Sequence, residues 1–257
     1  MADLPPQTLT GKVAIVTGSA RGLGASMALD LASRGASVVI TYTSASSDSI
    51  ASDLASRISS LANSSSAIAV RANMSDPSAP DTIVKATVEA FGHIDILVNN
   101  AAIQVTRSLK DISTADYESV YAANIRGVIF LTQVVLRHFR APGRIVNISS
   151  VGARLGFAEL SLYCSSKAGL EGLTRSWAGE LGEDGTTVNA VAPGPVQSEM
   201  LESIPKELVA RQKEDTPVEK RLGTPEEVSR VVCWLASEDA SWVTGQTINC
   251  SGGFSMI

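Results

Sequence analysis

Tyr163 and Lys167 stand four residues apart in a stretch of helical periodicity, so their side chains leave one face of one helix. A phenol titrates near pH 10 and is a poor proton carrier at neutrality. An ammonium held beside it favours the phenolate and lowers that value. The pair is therefore suited to general acid–base work on a carbonyl or alcohol oxygen. Tyr-x-x-x-Lys also arises often by chance, as a half-buried tyrosine beside a solvated lysine, so the surrounding chain has to decide. Ser149 and Ser150 follow directly on an apolar run. The carboxyl end of a strand is where open α/β sheets bind ligands, and a hydroxyl there can hydrogen-bond a substrate oxygen.

A second constellation lies near the amino end. Thr17-Gly18-Ser-Ala-Arg21-Gly22-Leu23-Gly24 separates a first apolar run from a helical stretch. Glycines let a backbone turn tightly against a pyrophosphate, and the following helix offers N–H groups and a positive dipole end. The spacing is G-x-x-x-G-x-G rather than G-x-G-x-x-G. A tight turn without a ligand has the same glycines, but its place after the first strand of an alternating chain favours a dinucleotide. About twenty residues on, NAD sites carry an acid for the ribose hydroxyls. Here the chain reads Thr41-Tyr42-Thr43-Ser44, with no carboxylate before Asp48. The hydroxyls of Thr43 and Ser44 and the guanidinium of Arg21 would suit a 2′-phosphate, so the expected cofactor is NADPH.

These residues need a scaffold that brings strand ends together. Short apolar runs at 13–17, 38–41, 67–70, 94–98, 144–148, 187–191 and 247–249 read as strands buried on both faces. Helical spacing fills 22–33, 47–61, 80–91, 115–139, 160–181 and 225–236. The alternation predicts a single α/β domain over 1–257, doubly wound as in a Rossmann fold, with a mostly parallel seven-stranded sheet between helices. The long connection 195–222, at the carboxyl end of the sixth strand, is a candidate lid.

Composition narrows the function classes. Net charge is −5 with no long basic run, which argues against nucleic acid or an anionic membrane as partner. Three cysteines at 164, 233 and 250 and two histidines at 93 and 138 make no metal-ligand spacing, so no metal is expected. An amino terminus reading MADLPPQ lacks an apolar signal core, and a cytoplasmic location is the expectation.

In chain order, Thr17-Gly-x-x-x-Gly-x-Gly24, Asn99-Asn100-Ala-Ala102, Asn124, Ser150, Tyr163-x-x-x-Lys167 and Pro193-Gly194 resemble the short-chain dehydrogenase/reductase family over nearly the whole chain. Tyr163 follows Ser150 by thirteen positions, which fits the family and selects Ser150 over Ser149. The resemblance implies that Tyr163 gives a proton to the substrate oxygen and that Lys167 tunes it and holds the nicotinamide ribose. It implies that Ser150 polarises the carbonyl and that Asn124 holds a water leading to Lys167. Asn73 and Met74 would meet the adenine, and Pro193 and Gly194 the nicotinamide. Gly18, Gly22, Leu23, Gly24, Asn100, Tyr163 and Val196 complete the implied cofactor contacts. The usual glycine of the Asn-Asn-Ala-Gly motif is Ala102, whose methyl group is expected near the cofactor. Ser251-Gly252-Gly253 departs from a common Asp-Gly-Gly. A homotetramer or homodimer through the Tyr/Lys helix is also implied, and Leu170, Leu173, Trp177 and Leu181 form a stripe there that equally suits the sheet-facing core.

The loop after Ser150 carries Val151, Leu155 and Phe157, and the lid carries Met200, Leu201 and Ile204. With Ser150 and Tyr163, Leu155 and Met200 are the expected substrate contacts. Arg154, the only nearby cation, is expected to be solvated. The whole chain, notably 231–245, is most similar to fungal ketoreductases such as hydroxynaphthalene reductases and to 3-oxoacyl reductases. That implies an apolar, aromatic or polycyclic ketone or its alcohol. Three alternatives stay open: an NAD-dependent alcohol dehydrogenase, a same-fold epimerase or dehydratase using Glu159 or Glu199, and a non-catalytic nucleotide sensor.

Overall fold

Strands that are apolar on both faces can be buried only between two layers of helices, and this chain builds that sandwich. In the computed structural model, which describes residues 4–197 and 206–256, the strands are β1 (Val13–Val16), β2 (Ser37–Tyr42), β3 (Ala67–Arg71), β4 (Ile94–Asn99), β5 (Phe139–Ile148), β6 (Thr187–Pro193) and β7 (Thr247–Cys250). They form one seven-stranded sheet in the order β3-β2-β1-β4-β5-β6-β7. Every pairing is parallel. The sheet is thus wholly parallel where the sequence suggested mostly parallel. The order reverses between β1 and β4, and the carboxyl ends of those strands open the crevice where such sheets take ligands.

The pleat divides the core. Ala14 and Val16 of β1, Val38 and Ile40 of β2, and Val146 and Ile148 of β5 pack on one side, under helices α1 (Gly22–Ser33), α2 (Asp48–Ser59) and α9 (Pro225–Leu235). Ile15, Val39 and Ile145 point to the other, under α3 (Ala79–Phe91), α5 (Val128–Leu136) and α7 (Ser161–Leu181). Trp177 and Leu181 of α7 join that second layer, so much of the α7 stripe is core.

Two predicted elements are corrected. The expected helix 115–139 is three pieces: α4 (Thr114–Tyr121), a π-helical segment Ala122–Gly127, and α5 ending at Leu136. A π segment inserts one residue per turn and commonly marks a functional position; Asn124 lies within it. By length and composition 114–136 is apolar enough to cross a membrane. In this fold its last piece, α5, packs one face on the sheet, with Leu131 and Val135 fully buried and Phe130 and Leu136 partly exposed.

The fifth strand starts at Phe139 rather than Arg144, and its register against β4 shifts between Ile94 and Ile96. Asp95 explains the early start. It is 1% exposed, and its carboxylate accepts bonds from Val13 N at 2.8 Å and from Arg140 Nε and Nη2 at 2.7 and 3.0 Å. The ion pair fastens the first residues of β5 across β4 to β1. Asp95→Ala strands a buried N–H and breaks this pair, for an expected loss of about 3 kcal/mol. The urea midpoint should fall at unchanged slope; an unmoved midpoint would show that the network contributes nothing.

Candidate active site

Thr17 and Thr41 build the phosphate turn from below. Asn100 N and Ala101 N donate to Thr17 Oγ1 at 2.9 and 3.0 Å, and Asn100 Nδ2 donates to the carbonyls of Thr17 and Gly18 at 2.8 and 3.0 Å. Gly18 N donates to Thr41 Oγ1 at 3.0 Å. Asn100 is thus a structural brace of the turn, and Thr41 a second brace that the motif search did not single out. Gly18 and Gly22 take φ of +62° and +57°, which an L side chain rarely adopts. A Cβ on Gly24 would lie 2.7 Å from Ser19 Cα and 2.8 Å from Asn100 Nδ2, so helix and strand pack through this residue. A Cβ on Gly22 would meet nothing within 4 Å. The first turn of α1 has no side-chain cap and no acid. These are the properties of a cradle for a phosphate: open space, orphan N–H groups and an unopposed dipole. A dinucleotide fits this donor set.

At the far end of the crevice, Arg21 Nη2 donates to Ser47 Oγ at 2.7 Å, and the hydroxyls of Ser44 and Ser46 are 2.7 Å apart. Thr43 and Ser44 are exposed just beyond β2. Asp48, the first carboxylate after that strand, is exposed and lies 4.0 Å from Arg71. Met74 is buried against the π segment, where a Cβ on Gly127 would collide with the Met74 carbonyl, while Asn73 is exposed. Ala102 is exposed, and it is Ala101 that touches the turn, 3.0 Å from a Cβ placed on Gly18.

The chemistry-bearing residues converge at the ends of β5 and β6. Lys167 is 3% exposed and donates through Nζ to the Ile148 carbonyl at 2.6 Å. Its Nζ lies 5.7 Å from the centroid of the Tyr163 ring. Burial pulls the ammonium down to about 8. Tyr163 is half-buried, and burial pushes its phenol above the usual value, against the opposing hydrogen bond with the Ser150 hydroxyl. Burial thus keeps the phenol protonated at neutrality, as a proton donor requires, and Lys167 is not among the groups that shift it here, whereas the sequence had the lysine lowering the phenol.

The two serines divide. Ser149 is 2% exposed and donates to Glu171 Oε1 at 2.9 Å, whereas Ser150 turns to Tyr163 and accepts from Gly152 N at 3.1 Å. Asn124 lies beneath. Its Oδ1 accepts from Ile103 N at 2.8 Å, and its Nδ2 donates to Ile103 O at 2.9 Å and Ser166 Oγ at 3.0 Å. Both amide hydrogens are committed to protein, so the Asn124 side chain pins the loop after β4 to the π segment and to α7. Below it, Asn99 donates to Asn147 Oδ1 and Asn147 to Thr174 Oγ1, each at 2.9 Å, a buried polar ladder that sequence reasoning missed.

Pro193 ends β6 and accepts from Val151 N at 3.1 Å. A Cβ on Gly194 would lie 2.7 Å from Ser251 Cβ, which gives the Ser-Gly-Gly stretch its packing role. Val196 sits in the core and bridges to Gly223 in backbone pairing, so its side chain serves packing. Leu155 and Phe157 are 44% and 37% exposed, an apolar rim beside Ser150. Met200, Leu201, Ile204 and Glu199 lie outside the described residues; beyond them the 195–222 connection contains helix α8 (Lys206–Glu214). Glu159 is exposed and offers no second buried acid. Arg154 is exposed, as expected from sequence, but it is also paired, with Arg154 Nε 2.9 Å from Glu171 Oε2. Among the described residues no cluster of His, Cys, Asp or Glu could hold a metal ion.

The enoyl-(acyl carrier protein) reductase family model matches residues 18–255. The chain is 42% identical to a short-chain dehydrogenase/reductase, FrzI, of a Cladobotryum species, over 97% of this chain and 98% of that protein. It is 38% identical to the hydroxynaphthalene reductase-like protein Arp2 of Metarhizium robertsii, over 96% of each. Among solved structures, a blue fluorescent protein from a metagenomic library in complex with NADPH aligns with TM-score 0.90 and 36% identity, over 97% of this chain and 100% of that one. A short-chain dehydrogenase from Burkholderia cenocepacia in complex with NADP aligns with TM-score 0.89 and 36% identity, over 96% and 99%.

Proposed function

The chain belongs to the short-chain dehydrogenase/reductase family and is an NAD(P)-dependent oxidoreductase, and from that premise we propose that it reduces an apolar, aromatic or polycyclic ketone with NADPH, Tyr163 giving the proton. The single observation that carries this reading is the Tyr163–Ser150–Lys167 arrangement at the carboxyl end of β5, beside an uncapped glycine turn. NADPH, when bound, supplies the hydride to the carbonyl carbon. Ser150 holds the carbonyl oxygen by a hydrogen bond that strengthens as negative charge grows there. Tyr163 delivers its phenolic proton to that oxygen, and the buried Lys167 ammonium stabilises the phenolate left behind. Leu155 and Phe157 shield one side of the pocket from water, and their apolar surface favours a neutral substrate without a charged handle. The fungal relatives named for hydroxynaphthalene reduction support the aromatic class of ketone.

Preference for NADPH rests on Arg21 and on the absence of a carboxylate at 41–44. A charge-assisted guanidinium–phosphate contact contributes about 2 kcal/mol. Arg21→Ala is therefore expected to weaken NADPH about 30-fold and leave NADH within about twofold. Fluorescence titration of both nucleotides checks this. Tighter binding of NADH than NADPH by the unmodified protein would reverse the cofactor assignment. The activity itself is tested by following NADPH oxidation against a panel of aromatic and aliphatic ketones. Turnover of none of them would defeat the proposed function.

A further inference from the structure

Glu171 is a carboxylate the reaction does not use, yet it is 4% exposed and lies on the same row of α7 as Tyr163 and Lys167, one turn further along. A buried carboxylate persists when it is paired and hydrogen-bonded, and Glu171 is both. One oxygen accepts from Ser149 Oγ at 2.9 Å and the other from Arg154 Nε at 2.9 Å. These donors stand at the two ends of the turn that carries Ser150 and the short helix α6 (Gly152–Leu155). The turn is also tied to the sheet, through Ser149 N to Val191 O at 2.7 Å and Val151 N to Pro193 O at 3.1 Å. It presses closely on α7, since a Cβ on Gly152 would lie 3.1 Å from the Phe157 ring and 3.3 Å from Cys164 Sγ.

We propose that Glu171 is a positioning residue that closes this turn on the catalytic helix, its Ser149 arm setting the Ser150 hydroxyl and its Arg154 arm setting the apolar rim of Leu155 and Phe157. The Arg154 arm then makes the enzyme selective for ketone size. A small ketone needs only the Ser150 and Tyr163 hydroxyls. A polycyclic one also leans on the rim and feels its displacement. The inference rests on the reading of Ser150 as the residue that meets the carbonyl.

The test compares diacetyl with phenanthrenequinone, a small and a tricyclic diketone, as substrates of the unmodified enzyme, Arg154→Ala, Arg154→Lys and Glu171→Gln, with NADPH affinity measured in parallel. Arg154→Ala is expected to raise KM for phenanthrenequinone about tenfold while leaving diacetyl and NADPH within about twofold, because a small displacement at a contact surface costs only the substrate that uses it. Arg154→Lys should recover most of that loss, and Glu171→Gln, whose remaining carbonyl oxygen still accepts from Ser149 while its amide nitrogen cannot accept from Arg154, should show the same dependence on ketone size. Glu171→Gln carries the test alone if Arg154→Ala does not fold. Equal losses for both ketones, or a parallel loss of NADPH affinity, would reduce the pair to general structural support and overturn the proposal. An active parent enzyme with an unaffected Arg154→Ala overturns this proposal alone. A parent enzyme that binds NADPH yet reduces neither ketone overturns it together with the proposed function.

Discussion

Tyr163→Phe is expected to lower kcat for ketone reduction about a thousandfold while NADPH affinity stays within about twofold, since a placed general acid contributes between a hundred- and ten-thousandfold. The substitution removes one oxygen and keeps the ring, so the packing of the half-buried side chain is preserved. What is lost is the phenolic proton that the proposed function delivers, beside Ser150, to the substrate oxygen. Ser150 can still accept and donate a hydrogen bond, but a serine hydroxyl is far too weak an acid to replace the phenol. The same residue fixes the direction of the pH dependence. Reduction requires the protonated phenol, and burial holds the Tyr163 phenol above its usual value. Reductive kcat/KM should therefore stay level through neutrality and fall in the alkaline range. The reverse oxidation requires the phenolate and should rise with pH over that range. Near-normal turnover by Tyr163→Phe, or matching pH slopes in the two directions, would remove Tyr163 from the chemistry.

Lys167→Met is expected to produce two opposite effects. Activity should fall at least a hundredfold, because the charge that stabilises the phenolate is gone. Stability of the cofactor-free protein should rise by about 1 kcal/mol at neutral pH. Folding buries the Lys167 ammonium and lowers its pKa from 10.5 to about 8. At pH 7 the group is still charged in the fold, and confining that charge costs about 3 kcal/mol, as the shift implies. The bond to the Ile148 carbonyl offsets part of the cost, and methionine fills the same space without a charge. Between pH 8 and 10.5 the unfolded chain holds more protons on this lysine than the folded one. Stability of the parent protein should therefore gain from Lys167 as pH rises through that window, and the gain should vanish in Lys167→Met. Urea unfolding at two pH values reads both effects. A variant that is less stable at pH 7, or that keeps the parent's pH dependence, would show that Lys167 is not held charged at a cost. Strain of this kind at a functional group is the usual trade of stability for activity.

Patterns carried by residue type and short spacing were legible in the sequence. The doubly apolar runs declared a covered parallel sheet, and Gly18, Gly22 and Gly24 declared a turn that only glycine permits. Tyr163 and Lys167 shared a face because a helix repeats every 3.6 residues. Relations set by tertiary contact were not legible. The π segment at Ala122–Gly127 breaks no hydropathy pattern, since an inserted residue rotates the apolar face without removing it. Asp95 stood inside a run read only as a buried strand, and nothing near it announced Arg140, forty-five residues away, as its partner. That the exposed Arg154 is paired could not be read, because its partner Glu171 stands seventeen residues on, across a turn and nearly three turns of helix. Asn100 and Asn124 were found by resemblance. Their roles as a brace of the glycine turn and a pin of the π segment came only from their hydrogen bonds.

The central claim is hydride transfer from NADPH to a ketone in this crevice. It is tested most directly by incubating the protein with 1-tetralone, an aromatic ketone whose product is a stable secondary alcohol, and NADPH carrying deuterium at the transferred position, then recording the mass of the product. The account predicts one deuterium on the carbinol carbon, formed at a rate that collapses in Tyr163→Phe. Product without deuterium, or a labelled product formed equally fast by the Tyr163→Phe variant, would contradict it.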